Sequence, residues 1–205
     1  MIEYLQTAPV ASIIFVLTIL TTLYGFYNDA AQNNMILHPY SVSRKQRIYT
    51  LITSGFIHND WMHLFFNMFS FYAFAFGLEM IIGHWQFLVL YMLSLVLSDI
   101  PSVYKHREDY GYRSLGASGA ISAVIFSAIL FDPKMQMLIL PIPFPIPAYI
   151  FGGLYLLYCT YASKYSHDRI NHDAHLYGAI SGIIITIALY PEVISHFLQQ
   201  FGIGV

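Results

Sequence analysis

Charge is what this sequence has least of. Only 10% of its 205 residues are Asp, Glu, Lys or Arg, while 57% are hydrophobic. An ordinary soluble domain carries about 25% charged residues, so this chain has too few to coat a water-facing surface, and its mean hydropathy is +0.58. That excludes a disordered chain and a typical cytosolic enzyme. Basic residues are scarce too: nine Lys+Arg against eleven Asp+Glu, a net charge of −2, give no electrostatic footing for nucleic acid. There is one cysteine, Cys159, so an internal disulfide and a thiolate metal cluster are both excluded; its apolar surroundings point to buried packing. No segment alternates apolar and polar residues as an outer-membrane strand would. No solenoid repeat, low-complexity tail or HExxH motif occurs, and no metal or cofactor is expected.

What the sequence does have is apolar blocks of bilayer length. A spanning helix needs about 20 mostly apolar residues, and about 17 suffice. Six blocks approach or meet that length, at 10–27, 63–82, 85–100, 116–131, 146–162 and 172–189, separated by polar runs at 28–60, 102–114 and 163–171. The expected fold is an all-α membrane protein, a bundle of six transmembrane helices forming one domain over 1–205. The first block follows Glu3 with no Lys or Arg before it and is long for a signal h-region, so it is expected to be a retained helix. The run 140–147 alternates proline with apolar residues and is expected to be a stiff connector, since proline lacks the backbone donor a helix needs.

Polar residues inside spans are costly, and three clusters stand out. His63 and Asn67 open the second block four residues apart, on one helix face; His58 falls off that face, in the entering turn. Such residues also glue membrane helices together, so this cluster alone leaves both readings open. The fourth block opens Gly116-Ala-Ser118-Gly119-Ala-Ile-Ser122. A serine between glycines at a helix start can be approached closely and has free N–H groups and a positive dipole end beside it; small residues are equally the usual packing residues of membrane helices. The sixth block opens with His172 and Asp173, and places His175, Gly178 and Gly182 on one face. Gly178 and Gly182 form a small-xxx-small pair that lets a neighbouring helix approach. A thin fourth helix against a thin sixth one would bring His175 to Ser118, the contact nucleophilic catalysis needs. All three clusters start even-numbered blocks, so they share one bilayer depth. Asp173 points about 200° away from His175 round the helix, so a Ser–His dyad is expected rather than a triad.

With these clusters in order, the chain resembles the rhomboid family of intramembrane serine proteases. The resemblance runs from Ser43 to Leu189, with 10–27 as the family's first helix, and rests on His58-x4-His63-x3-Asn67, Gly116-x-Ser118-Gly119 and Ala174-His175-x2-Gly178, with Leu78-Glu79 and Tyr112-Arg113 in support. It implies Ser118 as nucleophile, His175 as general base, and His63, Asn67, Gly116 and the Ser118 amide around the oxyanion. It further implies no cofactor, single-span membrane proteins as substrates, and a multi-pass location in a bacterial cytoplasmic membrane. Two features depart from the pattern. Some bacterial relatives carry an aromatic four residues after the nucleophile, stacked on the histidine, where this chain has Ser122; the imidazole must then be held by Gly119 or by a tyrosine. The Trp-Arg pair of some first loops is missing. The family's orientation puts one Lys/Arg (Lys134) on the cytosolic side and eight on the other, against the charge rule. The alternative functional reading is a catalytically silent, rhomboid-like protein that binds membrane clients; such relatives typically lack the serine or the histidine. A transporter would want ionisable groups throughout the depth of the bundle.

Overall fold

The computed structural model describes residues 2–139, 143–166, 168 and 170–204, the side chains of Ile2 and Glu3 excepted. Each apolar block is a helix: α1 (Pro9–Tyr27), α2 (Trp61–Ile82), α3 (His84–Lys105), α4 (Ser118–Phe131), α5 (Ala148–Tyr165) and α6 (His172–Leu189). Of these, α1, α2, α3 and α6 are long and apolar enough to cross a bilayer. Helix α5 is diluted by tyrosines and Lys164. The protein is a helical membrane bundle, as its composition requires.

Helix boundaries follow cap chemistry. Where polar runs give way to apolar ones, a side-chain oxygen takes an orphan amide of the new helix: Asp60 Oδ1 accepts from His63 N at 2.9 Å, and Asn171 Oδ1 from Ala174 N at 3.0 Å. Helix α3 overruns its expected end at 100 and carries Pro101 inside. The missing proline donor costs one helix bond, but the final turn is fastened from outside: Ser102 Oγ donates to Asn171 Oδ1 (3.0 Å), and Lys105 Nζ to Asp173 Oδ2 (2.8 Å). Helix α4 begins at Ser118 rather than 116, because Gly116 sits at φ 116°, outside helical space and open only to glycine.

The polar run 28–60 is more than a loop. It folds into four short turns of helix (Asp29–Met35, Pro39–Val42, Thr50–Thr53, Ser54–Phe56) around the fully buried Leu37 and Ile57. Leu37 and Ser114 exchange backbone hydrogen bonds of 3.0 and 3.2 Å, tying this layer to the stretch before α4. The proline-rich connector ends in β2 (Ile146–Pro147), which pairs with β1 (Gln136–Met137) in a two-residue antiparallel ladder; residues 140–142 lie outside the described residues.

Helix α4 is the axis of the bundle. Its 14 residues rise about 21 Å, less than the roughly 30 Å hydrocarbon core. Residues all round it are buried, including Gly119, Ala120, Ile121, Ser122, Ala123 and Val124. Such a helix does not need to reach both surfaces, and its first residue can lie below the headgroups. Helix α6 packs chiefly on α4 and α3. At the far end, the buried Glu79 carboxylate accepts from Val10 N (3.0 Å), Ala11 N (2.6 Å) and His84 Nδ1 (2.6 Å), so α2 caps the start of α1 with a charge that would otherwise be costly in the bilayer.

Candidate active site

The site is made by two glycine contacts between α4 and α6. A Cβ on Gly178 would sit 2.1 Å from the Gly119 carbonyl oxygen, and one on Gly182 2.4 Å from that of Ala123. The backbones therefore touch, and the side chains at the helix starts are drawn together: Ser118 Oγ and His175 Nε2 are 2.7 Å apart. Among the described residues no carboxylate bonds His175; Asp173 pairs with Lys105 at 2.8 Å instead.

Both side chains open onto a cavity of about 850 Å³, which His63, Asn67, Gly116 and Gly119 also line. Gly116 leaves room for His63: a Cβ there would meet that ring at 2.7 Å. The Gly116 amide is no free donor, because it donates to Ser54 O at 2.9 Å. This corrects its expected place among the oxyanion donors; Gly116 contributes space. The Ser118 amide, first in its helix, has no intrahelical partner. Asn67 Nδ2 donates back to His63 O at 2.9 Å, leaving Oδ1 buried and unpaired, so donation to a ligand takes a rotation of the amide.

His58 sits behind the His63 ring, 4.8 Å between centroids, as a structural tie. Fully buried, it accepts at Nε2 from Ala117 N (3.5 Å) and so carries its proton on Nδ1, facing Thr22 Oγ1 at 3.0 Å. Burial first, then the neighbouring His63, push its pKa down to about 3, which keeps it neutral. It joins α1 to the residue just before Ser118.

Three contributors carry no motif. Tyr155 of α5 lies nearly parallel to the His175 ring, 6.4 Å between centroids at 19°, and its hydroxyl meets Ser122 Oγ at 2.8 Å. Ser122 donates to Ser118 O at 2.9 Å, so Tyr155 donates to Ser122. An aromatic from α5 thus occupies the place left by Ser122. Asn171 bonds Ser102, Ser114 and the α6 start together, and its position before an apolar run was readable as a cap. At the rim, Asp168 accepts from His172 Nε2 at 3.0 Å; hydrogen bonds from Ser166, then His172 and Ile170 N, hold its carboxyl at about 2. Tyr155→Leu should lower the thermal midpoint in detergent, and Tyr155→Phe by less, since ring stacking contributes about 0.5–1.5 kcal/mol; thermal unfolding of the three proteins checks this.

A membrane-embedded bundle with a serine and a histidine in contact at the starts of two glycine-packed helices defines the class. Residues 45–192 match the Rhomboid domain, most of the chain, and the protein belongs to the rhomboid family. It is similar to the mitochondrial Rhomboid protein 1 of Saccharomyces cerevisiae, 25% identical over 88% of this chain and 54% of that protein. It is also similar to the mitochondrial presenilin-associated rhomboid-like protein A of Danio rerio, 29% identical over 68% of this chain and 37% of that one. A rhomboid protein of Bacillus subtilis is 28% identical over 66% of this chain and 64% of its own length. The chain spans about half the length of the first two curated relatives it matches.

Proposed function

We propose that the protein is an intramembrane serine endopeptidase of single-span membrane proteins, working through a Ser118–His175 dyad in a bacterial cytoplasmic membrane. The observation that carries this reading is the 2.7 Å contact between Ser118 Oγ and His175 Nε2 at the wall of a large cavity. Ser118 Oγ attacks the carbonyl of a substrate segment that has left its helix, and its proton passes to His175 Nε2. Negative charge on the carbonyl oxygen is met by the Ser118 amide at the α4 N-terminus, with His63 and Asn67 as the side-chain donors. His175 returns the proton to the leaving amine; water, deprotonated by the same imidazole, then releases the acyl group. Gly116 leaves room for the His63 ring and Gly119 for Ser98.

A silent client-binding protein has no need of this pair, and nothing else in the site favours that role. Treating the purified membrane protein with a fluorophosphonate probe should label one residue, Ser118, and Ser118→Ala should lose the label while keeping its helical spectrum. Equal labelling of wild type and Ser118→Ala removes the assignment.

A further inference from the structure

The dyad has no carboxylate of its own, so the His175 ring must be held, and its positive charge met, by other groups. His172 stands three residues earlier on the same helix, close to one face with His175, and is only 4% exposed. It donates from Nε2 to both oxygens of Asp168, at 3.1 and 3.0 Å. The carboxylate is itself set in place, by Ile170 N on Oδ1 (2.8 Å) and by the Ser166 hydroxyl on Oδ2 (2.7 Å). The His172 ring then meets two others edge to face: Tyr158 of α5, 5.5 Å between centroids, and His175, 6.2 Å.

Packing alone would account for a histidine here, but not for a carboxylate so fully organised at the wall that Ser118 and His175 share. Among the described residues, the charges that reach His175 belong to His63, His172 and Asp168, and Asp168 is the anion. The other titratable groups on the helices around it are committed or uncharged partners. Helix α5 brings Tyr155, Tyr158 and Cys159; α3 brings Asp99, bonded to Ser54, and Lys105, paired with Asp173; α4 brings none. We infer that Asp168 and His172 are positioning residues for the general base. The carboxylate fixes the His172 ring, and the ring steadies His175 in the orientation that meets Ser118. The negative charge behind it favours the imidazolium formed when the serine proton arrives. The dyad remains a dyad, because Asp168 bonds His172 and not His175. The inference rests on the endopeptidase reading and names what supports its base.

Profiles of kcat and kcat/KM against pH on a single-span substrate test it. Asp168→Asn keeps the shape and an acceptor oxygen but removes the charge. It should lower kcat by about threefold to tenfold, with a smaller change in KM. Without the anion the imidazolium forms less readily, so the acid limb of the kcat/KM profile should move to lower pH. Asp168→Glu, which restores the charge, should return the limb toward its wild-type position. His172→Phe, which keeps a packed ring and loses the N–H, should lower kcat to a similar extent. If Asp168→Asn leaves the acid limb where it is, whatever the change in rate, the pair is a structural brace; the inference is overturned and the dyad stands. A wild type that neither cleaves nor takes a fluorophosphonate label overturns the endopeptidase reading, and this inference with it.

Discussion

His175→Ala should reduce both substrate cleavage and fluorophosphonate labelling of Ser118 by about 10⁴-fold or more. A serine hydroxyl is a poor nucleophile without a base, and the neighbours of Ser118 offer no substitute. Ser122 donates to the Ser118 carbonyl, and His63 approaches Gly116 instead. Because the two residues act as a unit, the double variant with Ser118→Ala should be no worse than either single one, which rate measurements on all three would show. Residual cleavage within a few-fold of wild type would mean that another group takes the proton.

The second large effect should come from a residue with no chemistry. Gly178→Ala puts a methyl group 2.1 Å from the Gly119 carbonyl oxygen, a backbone atom that cannot move aside as a flexible side chain could. Helices α4 and α6 must separate, at a cost of about 3 kcal/mol or more, the upper end of overpacking penalties. A displacement of about 1 Å at the dyad costs on the order of 100-fold in rate. The expected result is a lower thermal midpoint in detergent together with near-complete loss of Ser118 labelling. Gly153, where an added Cβ meets nothing within 4 Å, provides the control: Gly153→Ala should leave both measurements unchanged. Activity and stability intact in Gly178→Ala would show that the helices tolerate a wider crossing.

The two glycines of α6 were legible in the sequence because their spacing relative to His175 is a statement about one helix face, and the helix start at His172 agrees with the block read from the sequence. The same periodicity located His63 and Asn67 on one face. It could not give Asn67's amide direction, which is decided by a bond back to its own helix. Gly116 was misread for a related reason: its importance shows in the motif, but whether its amide is free depends on Ser54, sixty-two residues earlier. A tyrosine against the imidazole was one of two expectations, but its position was not legible. With 17 tyrosines in the chain and α5 rich in them, nothing local tells which ring meets the imidazole. The loop before α2 read as a polar run; its buried Leu37 and Ile57 end the short apolar runs Met35-Ile36-Leu37 and Phe56-Ile57, too brief for a periodic pattern to flag.

The carboxylate of Glu79 bears on how the chain assembles. Helix α1 is made before α2, with the amides of Val10 and Ala11 unanswered, and their acceptor is made about seventy residues later at the end of α2. His84, which completes the arrangement, comes just after the turn into α3. During synthesis, therefore, α1 stays incompletely seated until α2 and the turn into α3 have followed it.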